Sequence, residues 1–122
     1  MIIYTDGYTI GGNPSLKGGG YTLMDGEAKL LKQGKLEGTI TNNEAEFRGI
    51  LAALELASEG DQIITDSMIC LYWIRSGKAK ARPDLDYLIA QAQKLKFEKK
   101  VILEWQPRDK NLAGQFNEAF YE

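Results

Sequence analysis

The chain has 122 residues, 43% hydrophobic and 26% charged, and these proportions predict one globular domain over residues 1–122. Fifteen basic residues against 17 acidic ones give a net charge of −2, which excludes a protein that holds nucleic acid by bulk positive charge. The absence of histidine excludes Ser-His-Asp and Cys-His catalysis and zinc sites that use histidine.

Three short β-strands are predicted in the first third of the chain. Residues 2–6 form a β-branched and aromatic run that ends before Gly7, and residues 19–24 and 28–36 form two more runs. An Asp25-Gly26 turn joins the second run to the third, and a glycine-rich connection over residues 8–18 joins the first two. We therefore expect an antiparallel meander.

A change to helical spacing follows Gly38. Thr41-Asn42-Asn43 supplies side-chain oxygens for the first-turn amides, and Gly60 follows the last apolar position. The apolar residues on one face of this predicted helix are Phe47, Ile50, Leu51, Leu54 and Ala57.

The remaining elements alternate between strand and helix. We predict a strand over residues 62–66, helices over 68–74 and 84–95, a strand over 101–105 and a closing helix over 112–120. A helix between two strands predicts a parallel crossover. The order βββαβααβα indicates the α/β class.

Three acidic residues stand out by their positions. Asp6 ends the first predicted strand, Asp66 ends the fourth, and Glu46 lies in the first turn of the long helix. Singly, they are better explained as a turn residue, a helix cap and a solvated glutamate, and it is their joint placement that indicates function. If the first and fourth strands are neighbours, the carboxylates converge at one sheet edge and form a hard oxygen site suited to Mg²⁺ or Mn²⁺.

Four motifs, in the same order and spacing as in a known family, extend over essentially the whole chain. They are Tyr4-Thr5-Asp6-Gly7 with Gly12-Asn13-Pro14 and Gly18-Gly19-Gly20-Tyr21, then Thr41-Asn42-Asn43-Glu44-Ala45-Glu46, then Ile64-Thr65-Asp66-Ser67, and finally Trp105-Gln106-Pro107-Arg108-Asp109-Lys110-Asn111. In these motifs the chain resembles the type 1 ribonuclease H family. The resemblance implies an RNase H-like fold with a five-stranded mixed sheet, an antiparallel meander plus parallel strands, flanked by helices.

The resemblance also implies an activity. Family members hydrolyse the RNA strand of an RNA/DNA hybrid and leave a 3′-hydroxyl and a 5′-phosphate. Asp6, Glu46 and Asp66 would then be catalytic metal ligands for two Mg²⁺ or Mn²⁺ ions bound together with the substrate. No histidine is required by this scheme.

One family feature is missing from this sequence. The family usually carries a fourth carboxylate four residues after the asparagine of its last loop, where this chain has Gln115, or Gly114 in a register shifted by one. Asn111 is therefore a candidate catalytic metal ligand through its amide oxygen. The alternative, of equal weight, is that Asn111 only caps the final helix.

Substrate contacts are also implied by the resemblance. Thr41, Asn42 and Asn43 match a family loop that touches the minor groove and a DNA phosphate, and Asn13 lies in the glycine-rich turn expected near the RNA strand. Arg82 is expected near the DNA-phosphate pocket. It ends a basic stretch with Arg75, Lys78 and Lys80 that is either a shortened hybrid-gripping handle or a solvated loop.

Aromatic and sulfur-containing residues offer a competing binding feature. Met68, Tyr72, Trp73 and Trp105 resemble a base-stacking platform, but the apolar periodicity around both tryptophans predicts that these residues are mostly core.

Two other functions remain open besides hybrid hydrolysis. One is a catalytically weakened module that binds hybrids without cutting them, and the other is a related nuclease with a different substrate. The single cysteine, Cys70, the opening MIIYTDG and the lack of a bilayer-length apolar run predict a cytoplasmic protein without a membrane partner. We expect a monomer.

Overall fold

The computed structural model describes residues 1–121, and its strands and helices follow the predicted order. They are β1 (Ile2–Thr9), β2 (Gly19–Asp25), β3 (Leu30–Leu36), α1 (Asn42–Leu56), β4 (Gln62–Thr65), α2 (Met68–Ser76), α3 (Asp86–Glu98), β5 (Ile102–Trp105) and α4 (Leu112–Phe120). Short 3-10 turns, Pro83–Leu85 and Arg108–Lys110, precede α3 and α4. Within residues 1–121, no helix combines the length and apolar character needed to cross a bilayer.

The strands form one mixed sheet in the order β3-β2-β1-β4-β5. The pairs β1–β2 and β2–β3 are antiparallel, whereas β1–β4 and β4–β5 are parallel. This arrangement confirms the predicted meander, the parallel crossover and the five-stranded mixed sheet. It also places β1 at the centre of the sheet, between its antiparallel and parallel halves.

The core lies mainly between the sheet and α1. Phe47, Ile50 and Leu54 of α1 are fully buried in one cluster with Ile3 and Ile63 of the central strands. Burial of such side chains contributes about 1.5–3 kcal/mol each. The apolar spacing recognised in the sequence is therefore the face that attaches α1 to β1 and β4.

The opposite face of β1 contacts α4. Side chains alternate along a strand, so Thr5 faces Gly49 of α1, whereas the neighbouring Asp6 accepts a hydrogen bond from Asn117 of α4. The ring of Tyr8 stacks on that of Tyr121, with centroids 4.5 Å apart. The side chain of Asp6 consequently lies at the junction of the sheet with α4.

Several predicted boundaries are wrong by a few residues. β1 continues past Asp6 to Thr9 because Gly7 pairs with Tyr21 of β2. β3 begins at Leu30 rather than Ala28, because Ala28 has a φ of 62° in a turn whose amides donate to Asp25. The closing helix has the predicted bounds.

Of Met68, Tyr72, Trp73 and Trp105, which were predicted to be mostly core, only one is buried. Trp73 is buried, as predicted. Trp105, Met68 and Tyr72 are exposed instead. β5 is an edge strand, so its last residue, Trp105, has a neighbouring strand on one side only. The spacing of apolar residues shows which face of a helix or strand is apolar, but it does not show whether another element of the fold covers that face.

Candidate active site

Asp6, Glu46 and Asp66 come together at one end of the sheet, as the sequence predicts. One carboxylate oxygen from each residue lies within 4.8 Å of the other two. The parallel register pairs Tyr4 with Ile64, so two residues further along Asp6 is level with Asp66. Glu46 reaches them from the second turn of α1, not the first, because that helix begins at Asn42.

Gly7 allows α1 to lie directly against β1. A Cβ atom at this position would lie 2.3 Å from the carbonyl carbon of Ala45, a distance that backbone atoms do not tolerate. The Gly7 amide donates to Oε1 of Glu46 at 3.1 Å. Gly7 therefore holds the Glu46 carboxylate against β1, the strand that carries Asp6.

Burial makes this cluster costly to ionise without a cation. Desolvation raises the pKa of Asp6 to about 6 and raises the pKa of Glu46 well above its ordinary value. Burial also raises the pKa of Asp66, although the Arg108 guanidinium opposes that rise. The neighbouring Asp6 carboxylate raises the pKa of Glu46 further, because two like charges at this separation disfavour each other.

The donor set fits a divalent cation. Oε2 of Glu46 is buried and receives no hydrogen bond from the residues that the structure describes. An unpaired buried carboxylate oxygen facing two further carboxylates is a ligand set that Mg²⁺ or Mn²⁺ prefers. Asp6, Glu46 and Asp66 are therefore the residues that would hold the metal.

Arg108 places a positive charge inside the same cluster. Its Nη1 lies 3.2 Å from Oδ1 of Asp6 and 3.7 Å from Oδ2 of Asp66. Its Nε donates to Oε1 of Glu118 at 2.9 Å. Arg108 stands in the last of the four sequence motifs but was not predicted to have a role, and Glu118 was not predicted as a site residue. The available signal was helical spacing, because Glu118 lies three residues after Gln115 on the same face of α4.

Asn111 caps α4, which is one of its two expected roles, while its role as a metal ligand stays a prediction. Its Oδ1 accepts from the amides of Ala113 and Gly114, and its Nδ2 donates to the carbonyl of Thr5. Both lone pairs of the amide oxygen are thus used by the first turn of α4. Gln115, at the other candidate position, donates to the carbonyl of Asp109 at 2.7 Å.

Asn117 supports Asp6 and was also missed. Its Nδ2 donates to Oδ2 of Asp6 at 2.8 Å, and its Oδ1 accepts from Thr22 at 2.6 Å. The side chain is fully buried. Its sequence signal is an amide on the apolar face of an amphipathic helix, where burial requires polar partners.

The predicted substrate loop is assembled beside the carboxylates. Thr41 caps α1 by accepting from the Glu44 amide, as predicted. Oδ1 of Asn13 accepts from the Asn42 amide at 2.9 Å, and Thr9 donates to the Asn42 side chain. Asn13, Asn42 and Asn43 are exposed. The glycine-rich loop and the start of α1 therefore present one continuous surface of amide side chains.

Arg82 lies beside α1 but is paired with two acids. Its Nη2 donates to Oε1 of Glu44 at 2.8 Å and to Oδ2 of Asp84 at 3.0 Å. Glu44 is the residue whose amide donates to Thr41, so Arg82 lies on the same side of α1 as Thr41, and its contact with a DNA phosphate stays a prediction. A phosphate there would have to share the guanidinium with Glu44 and Asp84.

Comparisons with known proteins agree with this geometry. The family model described as RNase H matches residues 1–112. The putative hydrolase EbsB of Enterococcus faecalis is 32% identical over 132 aligned residues, covering 99% of this chain and 96% of the relative. The bifunctional protein Rv2228c of Mycobacterium tuberculosis is 33% identical over 91% of this chain but only 32% of its own length.

Solved structures give the same result. The N-terminal RNase H domain of Rv2228c aligns with a TM-score of 0.69 and 30% identity, covering 94% of this chain and 92% of that one. LC11-RNase H1 in complex with an RNA/DNA hybrid aligns with a TM-score of 0.65 and 27% identity, covering 90% and 87%.

A mixed five-stranded sheet with three carboxylates gathered at one end of its neighbouring strands β1 and β4 defines an RNase H-like nuclease. The chain belongs to the RNase H family, and it is a ribonuclease H enzyme. The family match ends where α4 begins, so Gln115, Asn117 and Glu118 lie outside it.

Proposed function

We propose that this enzyme hydrolyses the RNA strand of RNA/DNA hybrids and leaves a 3′-hydroxyl and a 5′-phosphate. The observation that carries the proposal is the convergence of Asp6, Glu46 and Asp66 within 4.8 Å of one another in a chain of the RNase H family. The similarity to a ribonuclease H1 that was solved with an RNA/DNA hybrid supports the choice of substrate.

Asp6, Glu46 and Asp66 would hold the divalent cations, two of them when substrate is bound. The chemistry that Mg²⁺ or Mn²⁺ would supply at these residues is a lower pKa for an attacking water and stabilisation of the charge on the leaving 3′ oxygen. Gly7 and Asn117 keep two of the carboxylates in place through their hydrogen bonds to Glu46 and Asp6.

The neighbouring amide surface would position the hybrid. Asn13, Thr41, Asn42 and Asn43 offer donors and acceptors that suit sugar oxygens and 2′-hydroxyls and that demand no particular base sequence. Hydrogen bonds between Asn13, Thr9 and Asn42 hold this surface in a fixed relation to the carboxylates. Positioning of this kind supplies much of the rate enhancement in phosphoryl transfer.

The first experiment is cleavage of a labelled RNA/DNA hybrid beside matched RNA and DNA duplexes, in Mg²⁺, Mn²⁺ or EDTA. We expect metal-dependent cutting of the hybrid's RNA strand only, with its loss in Asp66→Asn and Glu46→Gln. Glu98→Gln is the matched control, because Glu98 is an exposed residue of α3. Equal cleavage by Asp66→Asn and wild type would refute the proposal.

A catalytically weakened module that chiefly binds hybrids is the second candidate. It is favoured by one observation, namely that the Gln115 side chain donates to Asp109 and the Asn111 amide oxygen caps α4, so both candidates for a fourth ligand are engaged in other hydrogen bonds. Hybrid binding without cutting in either metal would establish this alternative.

A further inference from the structure

An exposed apolar and aromatic surface lies beside the carboxylates. Met68, Ile69 and Tyr72 are 67%, 49% and 64% exposed on the outer side of α2, and Trp105 at the end of β5 is 44% exposed. Nε1 of Trp105 donates to the carbonyl of Asp66 at 3.1 Å. This hydrogen bond ties the indole to the residue that carries one of the catalytic carboxylates.

The surface is a groove that leads away from the active site. A depression containing Glu46 and Asp66 is also lined by Met68, Ile69 and Trp105. These three residues line a second depression together with Tyr72 and Arg75. We call the second depression and its continuation the α2 groove.

The continuation runs towards α3. It shares Leu71 and Arg75 with the second depression, and its further walls include Lys96 and Phe97. Each part has a volume of about 430 Å³, which lies within the range of small-molecule pockets.

The charges along the α2 groove are all of one sign. Arg75 and Lys96 are its charged lining residues, and no carboxylate lines it among the residues that the structure describes. The whole chain, in contrast, carries a net charge of −2. A cationic groove lined by flat rings in an acidic protein fits an anionic ligand that also has apolar faces.

We propose that the α2 groove binds unpaired nucleotides that continue from the hybrid. Tyr72 and Trp105 stack on exposed bases, and Arg75 and Lys96 contact the phosphates. Base faces are accessible to side chains only where the strand is unpaired, so the occupant is single-stranded and not duplex. The inference rests on the proposed function, because the groove begins at the residues that would cut the hybrid.

A protein partner fits these observations less well. The groove shares Met68, Ile69 and Trp105 with the depression that holds Glu46 and Asp66, so its occupant lies next to the substrate of the proposed reaction. The nucleic-acid substrate does this without a further binding partner.

The test compares hybrids that share one duplex. One hybrid is blunt. Each of the others carries a single-stranded extension of about five nucleotides at one end of one strand, either RNA or DNA. Every extension is made in an intact form and in an abasic form. Affinity is measured by fluorescence anisotropy in EDTA, where a metal-dependent nuclease does not cut. The proteins are wild type, Tyr72→Ala and the matched control Tyr87→Ala, which removes an exposed tyrosine of α3.

We expect an intact extension at one end to raise the affinity of wild type by about fivefold or more, the effect of stacking one base. Its abasic form gives no such gain. In Tyr72→Ala the ratio of extended to blunt affinity falls to about one, whereas Tyr87→Ala keeps the wild-type ratio.

Three results would overturn the inference. They are equal affinity of wild type for blunt and extended hybrids, an equal gain from the abasic extension, and an unchanged ratio in Tyr72→Ala. Concentration-dependent association that Tyr72→Ala abolishes would instead make the groove an interface between copies of the chain. Cleavage of the blunt hybrid by wild type in Mg²⁺ is scored separately, so a failure of the proposed activity is distinguished from a failure of this inference.

Discussion

Asp6 combines full burial with contacts to both charged and polar side chains. It is fully buried on the central strand, close to Glu46, and it contacts Asn117 and Arg108. The last two contacts favour its charged form, while burial disfavours it more strongly. The site is therefore built to be ionised with a cation present and to retain protons without one.

This balance predicts how the stability of the metal-free protein depends on pH. Because the pKa of Asp6 rises from 3.8 to about 6 on folding, the folded chain binds more protons than the unfolded chain between these values. The contribution of Asp6 to stability therefore falls as pH rises from about 4 to about 6. Urea denaturation in EDTA measures this fall as a difference between wild type and Asp6→Asn. If the stability of wild type relative to Asp6→Asn rose with pH over this range, the assignment would be wrong.

The position of Arg108 leads to a prediction about metal affinity. Its guanidinium contacts Asp6 and Asp66, so a metal ion and this side chain compete for the same oxygens. We expect Arg108→Ala to bind Mn²⁺ more tightly, of the order of tenfold, as measured by calorimetry without substrate. Arg48→Ala is the control, because it removes one positive charge that pairs with Glu44 instead. Equal affinity in Arg108→Ala and wild type would show that no such competition occurs.

At the scale of elements, the contact between β1 and α1 determines where Glu46 lies. Gly7 and Gly49 both allow close approach: a Cβ at Gly7 would meet the Ala45 backbone, and one at Gly49 would lie 2.6 Å from Oγ1 of Thr5. Neither residue contributes a side chain to the site. Together they set the distance between the helix that carries one carboxylate and the strand that carries another.

Gly7→Ala is therefore expected to damage both stability and activity. Overpacking at this contact should cost about 1–3 kcal/mol of unfolding free energy, and displacement of Glu46 should lower cleavage by the order of 10²-fold. Chemical denaturation and hybrid cleavage measure the two effects. Gly26→Ala is the control, since its new Cβ would lie 4.0 Å from Ile2. Full activity in Gly7→Ala would mean that Glu46 does not depend on this contact.

The element scale also shows what the sequence can and cannot predict. Periodicity and capping residues predict the element order, and the motifs predict the three carboxylates. The extension of β1 to Thr9 is not predictable in this way, because it depends on pairing between Gly7 and Tyr21 of another strand. The contacts of Asn117 and Glu118 likewise depend on how α4 is placed against β1 and Arg108. Long-range packing, which a local pattern does not contain, determines both.

At the scale of the whole molecule, the carboxylates connect separate parts of the fold. Asp6 belongs to β1, Glu46 to α1, and Asp66 follows β4. A cation held by all three would link the antiparallel half of the sheet, the parallel half and the main helix. Such a link stabilises the folded state, because the unfolded chain does not hold these oxygens together.

Divalent metal should therefore raise the melting temperature. At about 100 times the dissociation constant, binding stabilises by about 2.7 kcal/mol, which corresponds to a shift of the order of 10 °C. Differential scanning calorimetry with Mn²⁺ or EDTA measures the shift, which should be larger at pH 7.5 than at pH 5 because the ligands must lose their protons. Asp66→Asn should lose most of it, and an equal shift in this variant would place the metal elsewhere.

The chain contains two tryptophans, and their environments differ. Trp73 is 8% exposed beside Phe47, whereas Trp105 is 44% exposed and bonded to the Asp66 carbonyl. Their fluorescence should therefore separate into a blue emission shielded from quenchers and a red emission that iodide or acrylamide reduces. The accessible component comes from an indole whose N–H donates a hydrogen bond to the backbone carbonyl of Asp66. The enzyme thus contains an intrinsic optical reporter beside its active site, and no external label is required to follow events there.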